Sequence, residues 1–231
     1  MKNGQGVEAE RIASSSGLRF DSAVMSPVYS SLAKRSMDLV LASLAFVFLL
    51  PLMAVICLGI RLSGRGPVIF TQKRCGANGR FFNCYKFRTM RTDAAERLEA
   101  LLSSDPAAAA EWALYQKLRL DPRITPIGRL LRRTSLDELP QLINILRGEM
   151  SIIGPRPITS GEIFRYGTDF AYYTAVRPGV LGLWQVNGRN SLTYDQRVRM
   201  DVEYVRTWSM SKDLRILAKA VPAVMFGSDA Y

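Results

Sequence analysis

The sequence predicts a mainly helical α+β protein: one re-entrant membrane helix, then a membrane-surface domain with a small β-hairpin and amphipathic interfacial helices. Three observations predict it. Leu39 to Ile60 runs without a charge but contains Pro51. Two short apolar runs, Val68–Phe70 and Phe81–Phe87, flank the turn-forming Gly76-Ala77-Asn78-Gly79. Most of the remaining chain repeats its apolar residues at helical spacing.

Residues 1–33 are rich in Ser, Gly and Ala, lack periodicity, and read as a poorly ordered tail. Residues 34–62 form the membrane helix. As a helix, Leu39–Ile60 spans ~33 Å, close to the ~30 Å hydrocarbon thickness of a bilayer. Two features oppose a plain crossing. Pro51 removes a backbone hydrogen bond near the middle and kinks or breaks the helix. Basic residues flank both ends, Lys34 and Arg35 before, Arg61, Arg65, Lys73 and Arg74 after, and the positive-inside rule draws both flanks to the cytoplasm. A helix that turns at Pro51 and returns to the same leaflet satisfies both. The run starts too far in and is too long for a cleavable signal. Residues 63–231 make one cytosol-facing domain.

Composition narrows the chemistry. The 231 residues hold 31 Lys and Arg against 20 Asp and Glu, a net charge of +11, which suits an anionic partner. Lipid headgroups and phosphorylated substrates are nearer to hand for an anchored protein than nucleic acid, for which no binding module is visible. There is no histidine. That excludes Ser-His and Cys-His catalysis and His-ligated metals. Cys57, Cys75 and Cys84 lack metal-ligand spacing, and a reduced compartment fits them.

Along the domain, Tyr85-Lys86-Phe87-Arg88-Thr89-Met90 closes the second strand with two cations among aromatics, either snorkelling into solvent or binding phosphate. Asp93–Leu102 and Pro106–Leu120 read as helices, the second opened by Asp105-Pro106 as N-cap and first-turn proline. Ile127, Leu130 and Leu131 mark a short helix with Arg129, Arg132 and Arg133. Leu139 to Leu146 marks another, stopped by Gly148. Between them stands Ser135-Leu136-Asp137-Glu138. Ser-x-x-Glu is a capping box, but Pro140 spoils a regular helix there, so the acidic pair can instead occupy a turn. Gly154-Pro155-Arg156-Pro157 is a rigid turn holding one Arg. Arg177–Asn190 reads as a Gly/Pro-rich loop whose end cations, Arg177 and Arg189, could clamp a phosphate. Beyond Tyr194 the chain is helical, either interfacial or packed on the core.

Four segments in this order resemble one family: the basic pair before a Pro-broken apolar helix, GPVIFTQKR with YKFRTM, TSLDELPQL…GEMSIIGPRP, and RPG…G..QVNGRN. The chain is similar to the bacterial sugar transferases, the monotopic polyprenyl-phosphate phosphoglycosyltransferases, from about Lys34 to Asp213. The resemblance implies an enzyme on the cytoplasmic face of the bacterial inner membrane. It would transfer a hexose-1-phosphate from a UDP-sugar, glucose or galactose, to undecaprenyl phosphate, releasing UMP and initiating exopolysaccharide assembly. By motif, Asp137 would be the nucleophile and Glu138 its Mg²⁺-holding partner. Lys86, Arg88, Arg132, Arg156, Arg177, Gln185 and Arg189 would bind substrate. The short length implies the compact hexose-1-phosphate transferase subgroup, and a homo-oligomer is compatible with it. Two departures stand out: Leu50-Pro51 replaces the usual Ser-Pro, and Gly161–Val176 departs from the smallest members' pattern.

The chemistry is consistent with that resemblance. A carboxylate attacks the phosphorus of an anionic pyrophosphate only when cations neutralise the charge, and it needs no histidine. The competing reading is a non-enzymatic membrane-anchored protein that binds anionic lipid. It leaves the acidic pair and the rigid Arg turns without a role.

Overall fold

Leu, Ala and Val make up most of the apolar stretch, and it forms a single helix, α1 (Leu32–Leu62), that continues through Pro51. In the computed structural model the described residues are 31–115, 118–188 and 191–226; the tail expected over 1–33 lies almost wholly outside them. Only 17% of the most apolar window of α1 is buried against protein. Leu44, Val47, Phe48, Val55 and Leu58 are exposed, as a lipid-facing surface requires.

After α1 come the strands β1 (Ile69–Cys75) and β2 (Phe81–Phe87), which form the expected two-stranded sheet. Asn78 in its turn takes φ +55°, which Asn tolerates better than most residues. Helices α2 (Ala94–Ser104) and α3 (Pro106–Tyr115) follow. Asp105 Oδ1 accepts from the backbone N–H groups of Ala107 and Ala108 at 2.9 and 3.2 Å, the cap foreseen in the sequence. Helix α3 does not reach Leu120: residues 118–120 are non-helical, and Asp121-Pro122 then disfavours helical backbone.

Next are α4 (Pro126–Arg133), α5 (Gln141–Leu146), β3 (Ser151–Ile153), α6 (Phe170–Thr174), β4 (Gly179–Leu181), α7 (Leu183–Val186), α8 (Tyr194–Arg206) and α9 (Met210–Phe226). Gly148, at φ +81°, follows the end of α5 as expected. A parallel pair was not legible in the sequence. Strand β3 pairs with β4, Ser151 opposite Gly179 and Ile153 opposite Leu181, so the stretch read as a loop contains a strand and a helical turn.

The chain clusters into two compact units. Of the described residues, one takes 31–48, Thr71–Tyr85 and 140–226; the other takes Leu49–Phe70 and Lys86–Leu139. In the first, Ile153, Val176, Tyr204, Val205 and Ile216 form one apolar cluster, with Leu217 and Trp208 packed against it. Ile216 and Leu217 of α9 thus pack on the core, while Leu214 on the same helix is 53% exposed. A second cluster joins Cys75, Ile158, Tyr166, Phe170, Tyr173 and Val198.

The first turns of α1 are tied into that unit by polar contacts. Lys34 and Asp213, 4% and 0% exposed, pair at 2.7 Å. Asp213 also accepts from the Tyr204 hydroxyl at 2.9 Å and the Trp208 indole N–H at 3.0 Å. Asp38 accepts from Ser151 Oγ and the Ile152 N–H, both at 3.0 Å. Arg35 donates to the Ile145 and Leu146 carbonyls at the end of α5. The basic pair read as a membrane flank thus has protein partners.

In the second unit Met53, Ile56 and Ile60 of α1 are buried. A Cβ at Gly59 would meet the Ile127 side chain at 2.5 Å, so glycine permits the close approach of α4.

Candidate active site

The acidic pair stands on a 3₁₀ turn, Leu136–Glu138. Ser135 ahead of it adopts φ +56°, ψ +15°, a left-handed conformation that costs a non-glycine residue roughly 1–2 kcal/mol. Such strain persists only where the surroundings hold it, commonly at functional sites. The Ser135 side chain makes no capping hydrogen bond, and Glu138 is engaged elsewhere, so the capping-box reading fails.

Glu138 Oε1 accepts from Lys86 Nζ at 2.5 Å, and Asp137 Oδ2 lies 3.9 Å from the same ammonium. Lys86 comes from the end of β2, so one cation faces two carboxylates. Asp137 is 9% exposed. Burial pushes its carboxyl above the usual carboxylate range; the Lys86 charge opposes this, neighbouring Glu138 reinforces it, and Arg132 opposes it.

Arg132 is the last-turn cation of α4. Its Nε donates to Thr89 Oγ1 at 2.9 Å. Helix α4 starts where Thr125 Oγ1 accepts from the Gly128 N–H at 3.0 Å, with Pro126 at the first position. Met90 bridges Ile124, and the N–H groups of Arg91 and Thr125 donate to the carbonyls of Arg123 and Thr89 at 2.8 and 3.0 Å. A short antiparallel contact thereby fixes the start of α4 against the chain leaving β2.

Arg88 is placed differently from Lys86. Its guanidinium donates to the carbonyls of Arg65, Gly64 and Ile60 at 2.7, 2.9 and 3.3 Å, beyond and at the last turns of α1. It satisfies backbone acceptors that a helix end leaves open. Arg88→Ala is expected to cost about 1–2 kcal/mol in thermal unfolding of the detergent-solubilised protein, because these bonds are charge-assisted but partly solvated. Arg88→Lys should recover little, since one ammonium cannot span the three carbonyls.

The other expected binding residues belong to the unit that holds β3 and β4. Arg156 sits in a turn fastened on both sides. Gly154 N–H donates to the Leu181 carbonyl and Gly179 N–H to the Pro155 carbonyl, at 2.9 and 2.8 Å. Arg74 donates to the Pro157 carbonyl at 3.0 Å, and the Ile158 N–H to the Tyr173 hydroxyl at 3.1 Å. Arg177 Nε donates to the Gly148 carbonyl at 2.9 Å, and Gln185 Nε2 to the Val180 carbonyl at 3.2 Å. Arg189 lies outside the described residues. The structure therefore brings Lys86, Asp137 and Glu138 together with Arg132 beside them, and holds Arg156, Arg177 and Gln185 within the other unit. Thr89 lies in the YKFRTM motif, and only the packing of α4, distant in sequence, places it beside Arg132.

Among the described residues no three His, Cys, Asp or Glu side chains cluster as a metal cage. Mg²⁺ does not need one: it commonly takes one or two carboxylates and completes its shell with water and substrate phosphate oxygens. Adjacent Asp137 and Glu138, already facing a cation, fit that donor set.

Comparison with known proteins adds to this geometry. The family model described as bacterial sugar transferase matches residues 29–227. An undecaprenyl-phosphate galactose phosphotransferase of Salmonella typhimurium is 46% identical over 202 residues, 87% of this chain and 42% of that protein. An uncharacterized sugar transferase of Haemophilus influenzae is 48% identical over 202 residues, 87% of this chain and 43% of that one. The exopolysaccharide production protein ExoY of Rhizobium meliloti is 44% identical over 200 residues, 87% of this chain and 88% of its own. The chain thus spans less than half the length of the first two relatives and most of the third.

Proposed function

Because the chain belongs to the bacterial sugar transferase family, we propose that it transfers a hexose-1-phosphate from a UDP-sugar to undecaprenyl phosphate, the step that initiates exopolysaccharide assembly. The observation that carries this reading is the acidic pair on its strained turn with Lys86 against both carboxylates. A capping or solvated role accounts for neither the burial of Asp137 nor the shared cation.

In this reading Asp137 attacks the β-phosphorus of the donor. A P–O bond forms to the carboxylate, and the bond to the bridging oxygen breaks. UMP leaves with that oxygen, and a sugar-phosphoryl-aspartate remains. A phosphate oxygen of undecaprenyl phosphate then attacks the same phosphorus and frees the carboxylate, giving the diphosphate-linked product. Lys86 and Arg132 offset charge on the reacting phosphoryl group. Glu138 would hold Mg²⁺, which when bound neutralises phosphate charge. Substrate roles for Arg88, Arg156, Arg177, Gln185 and Arg189 belong to the proposal and rest on their motifs.

The proposal extends to topology: α1 enters and leaves the cytoplasmic leaflet of the inner membrane. The start of α1 bonds to residues between Ile145 and Asp213, and its end to Arg88. Among the described residues no other helix is long and apolar enough to cross a bilayer. Polar partners at each end of α1 support the re-entrant reading. Cysteines engineered into the tail and beyond Arg61 should both resist an impermeant external reagent in intact cells. Modification of the tail alone would establish a spanning helix instead.

The activity is tested with labelled UDP-glucose, UDP-galactose and further UDP-hexoses, each incubated with membranes carrying the protein. The expected result is Mg²⁺-dependent label in the lipid phase and release of UMP. Purified protein given donor alone should gain the mass of a hexose phosphate. No transfer with any donor would favour a protein that binds anionic lipid without catalysis.

A further inference from the structure

Thr89 is 7% exposed, and helix α4 rests on it through three residues. Thr125, Gly128 and Arg132 stand at i, i+3 and i+7, one face of the helix. Two meet its backbone and one its side chain. The Thr89 carbonyl accepts from the Thr125 N–H at 3.0 Å and from its hydroxyl at 3.3 Å. A Cβ on Gly128 would collide with the Thr89 carbonyl group and Cα, so α4 lies in direct backbone contact there. The Thr89 hydroxyl accepts the Arg132 Nε–H at 2.9 Å.

That last bond is the only side-chain hydrogen bond of Arg132 among the described residues, although its charge acts on Asp137. An arginine bonded through Nε, with terminal amines that make no hydrogen bond among the described residues, has its plane oriented by that bond. Rotation about its last torsions would otherwise sweep the amines through solvent. Arg123, whose charge also acts on Arg132, is committed to Asp121 by a two-pronged pair at 2.8 and 2.6 Å.

We infer that Thr89 is a positioning residue: its hydroxyl orients Arg132 so that the two terminal amines are presented to the phosphoryl group that Asp137 attacks. The inference rests on the transfer reaction proposed above and adds a residue to it. The Thr89 side chain bonds to neither carboxylate among the described residues and acts through Arg132. Its backbone contacts to α4 do not involve the side chain, so they survive a change of side chain.

Thr89→Val keeps the branched shape and removes the acceptor, whereas Thr89→Ser keeps the acceptor. With the UDP-hexose that the parent protein uses, Thr89→Val should lower kcat by roughly ten- to hundredfold, with KM changed by no more than a few-fold, as expected when a transition-state donor loses its orientation. Thr89→Ser should stay within a few-fold of the parent. Hydrogen exchange at the Arg132 Nε–H, followed by NMR on arginine-labelled protein in micelles and assigned with Arg132→Lys, should quicken at least tenfold in Thr89→Val only. Parental kcat in Thr89→Val, or unchanged exchange, would overturn the inference while the transfer reaction stands. Absence of transfer by the parent with every donor would overturn the reaction itself, and the inference with it.

Discussion

Asp137→Asn is expected to abolish transfer, with turnover falling by about four orders of magnitude or more, as loss of a nucleophile does elsewhere. Asn keeps the size of the side chain and its ability to accept a backbone hydrogen bond, so a capping residue would tolerate the change. Intact-mass measurement with donor alone should show the hexose-phosphate adduct on the parent and none on the variant. Near-parental turnover, or sequential kinetics without an adduct, would leave direct attack by the lipid phosphate as the mechanism. Two pH effects accompany this. Attack needs the carboxylate, and burial raises the Asp137 carboxyl above its ordinary value, so activity should fall on acidification at a pH above the usual Asp range of about 3.9. For stability the sign is opposite. A carboxyl that binds its proton more tightly in the folded state contributes stability that is lost as pH rises from the unfolded value through the folded one. The parent should therefore lose stability relative to Asp137→Asn across that window, and melting curves at a series of pH values would reveal it.

The second large effect concerns the base of α1. Lys34→Met should destabilise the protein by about 3–5 kcal/mol, because it leaves the fully buried Asp213 without its cation. The Tyr204 and Trp208 donors to Asp213 remain, which places the result in that range rather than above it. Lys34→Met combined with Asp213→Asn should recover part of the loss, since no uncompensated charge is then buried. Unfolding of the detergent-solubilised variants measures both. A single-variant loss under 1 kcal/mol would return Lys34 to the role of a headgroup contact at the membrane surface.

The sequence by itself determined the elements whose signals are local. An apolar stretch long enough for a bilayer, a Gly-Ala-Asn-Gly turn between apolar runs, an Asp-Pro helix start and a glycine stop for α5 are each written within a few neighbouring residues, and each is present in the fold. The acidic pair and Lys86 stand out as candidates because motif order points to them. Only the tertiary structure decided what depends on residues distant in the chain. The β3–β4 pair needs partners some 28 positions apart in register, Ser151 with Gly179, so its two three-residue runs carry no pattern of their own. Lys34 and Arg35 look like any basic flank until Asp213 and the end of α5 supply partners with which Lys34 can be buried. Arg88 and Lys86 are two residues apart in one motif, yet one reaches the carbonyls at the end of α1 and the other the carboxylates of the 3₁₀ turn. Thr89 acquires a role only because Gly128 lets α4 approach its backbone. Composition and spacing state which charges and donors a chain possesses; packing chooses their partners, because burial makes an unsatisfied charge or donor too costly to leave unmatched.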